Sequence, residues 1–296
     1  VLEGWNTFWF SHSSAIDLSV ARILILGHFI FFKLTESAFD FRGWSHTQTV
    51  LSVHWKRPWL LEKIGLPFLN HTTNLRLILV YKAALLSALV GFLTPVSCAI
   101  SLLLGLYFLG MRHGLKFHHS VMPVHFILLA LAIGPSGQYY SVDSWLWPSL
   151  LESANPQVTS WSLQFIRVTM ALVIFATGIA KLRHLRFTEG FLVDGNLSSL
   201  IRIHDFHRFY VSPIISISKY LLRFPTLERL SSLVVLVVEV VFPIALFSDL
   251  AAIILVPLMI FLIVNFRLVM GPRFDFFNAS ILAVFVPWER LLEHLK

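Results

Sequence analysis

Lys181 closes the apolar run 161–180, inside the stretch Thr177-Gly178-Ile179-Ala180-Lys181-Leu182. A lysine at that position has two physical options. It can snorkel to the headgroups, beside Arg183 and Arg186, or it can be desolvated in an apolar pocket and serve as a base. His118-His119 open the preceding apolar run, and Glu189-Gly190 follow Lys181. The runs 119–134 and 161–180 are consecutive, and the loop joining them is on the far side. Their His119 and Lys181 ends are therefore expected at one membrane depth, close enough for a water-bridged hydrogen bond around a pocket open to the bilayer. Tyr107 and Glu189 are candidate wall residues of that pocket. Arg22, Lys82 and Glu239 lie inside other apolar runs. A lone carboxylate at the centre of a membrane helix is costly, so a buried ion pair between Glu239 and Lys82 or Arg22 is expected.

The elements that must position these groups are membrane helices. The chain is 56% hydrophobic and 13% charged, about half the charged fraction of a soluble domain. About twenty apolar residues cross the hydrocarbon core. By that measure the runs are 17–34, 75–93, 95–110, 119–134, 161–180, 230–247, 250–266 and 274–288. The expected fold is all-α, a polytopic membrane bundle of about eight helices in one domain over 1–296. The turns at 93–95 and 247–249 are tight, so their flanking helices should pack antiparallel. The polar-aromatic stretches 35–73 and 183–229 read as interfacial helices. The loop 134–160 has no Lys or Arg and reads as an aromatic cap, with Tyr139, Tyr140, Trp145 and Trp147.

With eight alternating spans, nearly all loop Lys and Arg residues fall on one side, and only Arg290 and Lys296 fall on the other. The positive-inside rule then places both termini away from the cytoplasm. The net charge of +7 reads as a headgroup-facing belt and requires no nucleic acid. Cys98, the single cysteine, excludes an intrachain disulfide and reads as a small core hydrophobe. Among His113, His118, His119, His125, His204 and His207 only His204-Asp-Phe-His207 has the short spacing of a histidine box, so no metal is expected.

Several segments, in order, resemble the HTTM family, the membrane domain shared with vitamin K-dependent gamma-carboxylase. They are Leu18-Ser19-Val20-Ala21-Arg22-Ile23-Leu24, His118-His119-Ser120, Gln138-Tyr139-Tyr140-Ser141-Val142-Asp143, Gly178-Ile179-Ala180-Lys181-Leu182, Glu189-Gly190, and Glu239 with Pro243. The resemblance covers most of the chain and is to the short, bacterial-type members without the carboxylase's soluble domain. It implies that Lys181 is a base toward a quinol of the vitamin K type. It implies that His119 is the proton partner and that His118 belongs to the cofactor site. The quinol would enter from the lipid bilayer. Two alternatives stand beside this enzyme: a maturation or export factor acting on a secreted peptide, and a non-catalytic scaffold for other membrane subunits.

Overall fold

The computed structural model describes residues 2–11, 13–34, 63, 69–113, 122–149, 155–183, 223–269 and 275–294, with no strand among them. A short helix α1 (Leu2–Phe10) precedes α2 (Ala15–His28), which Ser14 caps by accepting the Ile16 amide. α2 loosens into a π-helical turn, Phe29–Lys33, closed by the Leu34 amide donating to the Phe29 carbonyl at 2.9 Å. α3 (His71–Val90) starts at Asn70, whose side chain accepts the Thr73 amide at 2.8 Å. It ends at Gly91, where φ is +71°, a left-handed conformation that glycine adopts without steric cost. Three residues later α4 (Thr94–His113) begins and packs back along α3, and α5 (Pro123–Ile133) packs on α4.

A one-turn helix α6 (Val142–Leu146) lies in the loop leading to the long α7 (Pro156–Arg183). α8 (Pro225–Val241) stops where Pro243 has no amide to give the Glu239 carbonyl four residues back. The chain tightens there into a 3-10 turn, Phe242–Leu246. After the turn at Ser248, α9 (Asp249–Val269) carries Pro257 in its interior. α10 (Asp275–Phe285) and α11 (Trp288–His294) close the chain. The expected run 274–288 is thus divided. The helix breaks before Pro287, and α11 starts anew with its Glu289 amide bonded to Asp17 Oδ1 at 2.9 Å.

Among the described residues five helices are long and apolar enough to cross a membrane: Ala15–Phe32, Thr72–Val90, Pro156–Leu182, Pro225–Leu246 and Asp249–Arg267. Thr94–Phe108, Pro123–Ile133 and Phe276–Phe285 are shorter apolar helices. With five such spans the chain is a multi-pass integral membrane protein. The expected interfacial stretches 35–73 and 183–229 fall almost entirely outside the described residues. In the aromatic loop Tyr139, Tyr140, Trp145 and Trp147 are all exposed.

The residues form two compact units, Val1–Ile166 with Val286–Lys296, and Arg167–Phe285. No linker marks the division because it falls inside the uninterrupted helix α7. The first unit buries Leu18, Ile25, Leu85, Phe108 and Ile127. The second buries Met170, Phe242, Phe276 and Ile281.

Candidate functional site

In the second unit, Lys181 meets a carboxylate of the neighbouring helix. Its Nζ donates to both carboxylate oxygens of Glu239, at 2.6 Å each. The Lys181 side chain is 20% exposed and that of Glu239 is 8% exposed. The pair is therefore nearly enclosed.

Three neighbours make this approach possible. Gly178 lies one turn before Lys181 on the same face of α7. A Cβ there would lie 2.9 Å from Val240 Cγ2 and 3.1 Å from both the Glu239 Cβ and the Val240 amide nitrogen. Only a residue without a side chain lets α7 and α8 come so close, and the short Glu239 side chain can then meet Lys181. Thr177 donates its hydroxyl to the Ile174 carbonyl at 2.6 Å and also lies within hydrogen-bonding reach of the Glu239 carboxylate. Pro243, four residues after Glu239, ends the α-helical ladder there. The spacing Glu-x-x-x-Pro therefore has a structural meaning: the carboxylate sits at the helix's last regular turn.

The ion pair expected between Glu239 and Lys82 or Arg22 is corrected by this geometry. The partner of Glu239 is Lys181. Lys82 is exposed on α3. Arg22 is fully buried in the first unit, where its Nη2 donates to the Tyr140 carbonyl at 2.6 Å. Tyr107, expected as a pocket wall, has a different employment in that unit. Its hydroxyl donates to Asn74 Oδ1 at 3.1 Å and accepts the Leu69 amide at 3.3 Å, fastening the entry to α3 onto α4. His118, His119 and Glu189 lie outside the described residues. Among the described residues no group of three His, Cys, Asp or Glu side chains is gathered to hold a metal.

Two polar residues carry more structure than their sequence context suggested. Asp143 accepts the Leu93 amide on Oδ1 and the Thr94 amide on Oδ2, each at 2.7 Å, and the Thr94 hydroxyl at 2.6 Å. It thereby caps the start of α4 from a distant loop. The available signal was a loop that carries carboxylates, Asp143 and Glu152, and no basic residue. Arg167, in the middle of α7, donates its Nε to the Val284 carbonyl at 2.6 Å. A charge inside an apolar run signalled that Arg167 needed a polar partner.

Compared with family models, curated proteins and solved structures, the chain matches none. The fold and the site define a class: a multi-pass membrane protein whose helices α7 and α8 share an enclosed lysine–carboxylate pair.

Proposed function

We propose that this protein is a membrane enzyme of the gamma-carboxylase-like HTTM type, in which Lys181, paired with Glu239, handles the proton of a quinol arriving from the bilayer. The observation that carries the reading is the two-oxygen pairing of Lys181 Nζ with Glu239 in a nearly enclosed position. A lysine needed only for anchoring would spend its ammonium on headgroups. This one is held by a carboxylate that can take its proton across a 2.6 Å hydrogen bond. When the proton moves from Nζ to Oε1, an amine is left at Nζ, and that amine accepts a proton from an acidic hydroxyl. The donor set suits a quinol, which would supply such a hydroxyl and the reducing equivalents. Lys181 and Glu239 would bind its oxygen, Thr177 would hold the carboxylate in place, and His119 would carry the proton onward. The three shorter apolar helices would complete a bundle of eight, with both termini on the non-cytoplasmic side.

The test uses the full chain in lipid nanodiscs with a short-chain naphthoquinol and dissolved oxygen. The pair is replaced in one step by Lys181→Met with Glu239→Leu, so that neither charge is stranded. The expected result is quinol binding and accelerated oxidation by the wild-type protein, both lost in the folded double variant. Equal binding and equal rates in the two proteins would refute the quinol reading.

A further inference from the structure

α3 turns two faces in different directions. Asn74, Ile78, Tyr81, Leu85 and Ala88 are buried in the first unit. Arg76, Leu79, Lys82, Ala83, Leu86 and Val90 recur at three- and four-residue spacing on the opposite face and are exposed. The apolar span on this helix runs Thr72–Val90. Arg76 lies within about 6 Å of its beginning, a distance that a snorkelling side chain covers. Lys82 is placed differently. It lies about 12 Å along the axis from Val90 and about 15 Å from Thr72. An extended lysine reaches only about 6 Å from its Cα. Its ammonium therefore stays at the depth of the hydrocarbon, on the exposed face of α3. Among the described residues no hydrogen bond or ion pair reaches it. Charged groups inside membranes are paired, or line a polar path, because hydrocarbon solvates them poorly.

We infer that the outer face of α3 docks a transmembrane helix of a different protein, one carrying a single carboxylate near its midpoint that pairs with Lys82. Ala83 leaves a shallow place between Leu79 and Leu86 where such a helix comes close. Leu79 and Val90, 68% and 50% exposed, supply the apolar flanks. Charge complementarity sets the partner's chemistry. A second copy of this chain does not supply it from the described residues. The acidic side chains within its spans are Asp17, which bonds the Glu289 amide, and Glu239, which is held by Lys181, and both are buried. Glu228 and Asp249 sit in the first turns of their helices, at the span ends.

The test places the full chain, with Leu86→Cys as reporter, in phosphatidylcholine liposomes with synthetic poly-leucine helices. Each helix carries one cysteine for disulfide trapping and Glu, Gln or Leu at its midpoint. The Glu helix is expected to cross-link about tenfold or more above the other two. Lys82→Leu should abolish that preference with thermal unfolding unchanged, because the side chain faces outward. Lys82→Glu should transfer the preference to a helix with a midpoint Lys. Equal trapping of all three helices would overturn the inference. So would Lys82-dependent self-association without peptide, or nitrogen–phosphorus NMR contacts placing the Lys82 ammonium at lipid phosphate in the presence of the Glu helix.

Discussion

The two units each hold a cation on an apolar helix and a buried carboxylate, and they use them in opposite ways. In the first, Arg22 and Asp143 are committed to backbone. Arg22 donates to the carbonyl of Tyr140, and Asp143 accepts the amides of Leu93 and Thr94. Leu93 and Tyr140 are the described non-glycine residues with positive φ, +46° and +49°. Such conformations cost roughly 1–2 kcal/mol each for an L-residue. Each is thus held where a charge grips its own peptide group. In the second unit the lysine and glutamate are committed to each other. A charge bonded to backbone fixes a shape and cannot be released without opening the chain. A charge bonded to another side chain can exchange its partner for a ligand. The contrast separates a structural polar centre from one fit for chemistry.

The largest expected effect breaks the structural centre. Asp143→Ala removes three hydrogen bonds, leaves two amides at the start of α4 unmet and takes a carboxylate away from the buried Arg22. A loss of about 3–5 kcal/mol is expected, as for breaking a buried charged network. Denaturant unfolding in micelles measures it, and a loss below about 1 kcal/mol would mean that the loop is not gripped as described.

Lys181→Ala comes next, at about 3 kcal/mol, near the lower end for a stranded buried charge because the lysine is partly exposed. Lys181 stands at a helix end and packs little, so the loss comes from Glu239, which is left without its ammonium. Most of the stability should return in Lys181→Ala with Glu239→Ala. A double-mutant cycle with no coupling would show that the two groups do not act as a pair.

The helices were legible because apolar runs of membrane length are a strong signal. That Glu239 and Arg22 needed polar partners was legible from their positions inside those runs, whereas Lys181, at the end of its run, had the headgroups as an equal option. Which partner each takes was not, because partner choice depends on helix rotation and approach, and both are set by residues such as Gly178 that carry no charge. The chemistry read into Lys181 rests on resemblance, and His119 lies outside the described residues. The aromatic loop was read as a cap, but nothing in its pattern said that Asp143 would start a helix 49 residues away.

Gly178→Ala sharpens the comparison from the other side. A methyl group there meets Val240 and the Glu239 Cβ inside ordinary contact distance, so α7 and α8 must separate by a few tenths of an ångström. Overpacking of this kind costs about 1–3 kcal/mol. The quinol-dependent rate should fall by more than the stability loss alone explains, since the Lys181–Glu239 geometry depends on that approach. An unchanged rate in the folded fraction would detach the pair from the chemistry.

The smallest effect belongs to the structural centre again. Ser141 accepts the Ser144 amide at 2.8 Å, capping α6, and donates its hydroxyl to the Gly137 carbonyl. Ser141→Ala removes the cap and should cost about 1 kcal/mol. The Cβ that packs beneath Gly91 is retained, so the neighbouring turn keeps its shape. Because Ser141 follows Tyr140, the residue that Arg22 grips, its loss loosens only the first unit's clamp. Quinol oxidation should then stay within about twofold of wild type, since nothing bonded to Lys181 or Glu239 has changed. A rate that falls as far as in Gly178→Ala would mean that the two polar centres are energetically coupled, and the division into a shape-holding and a proton-handling centre would have to be given up.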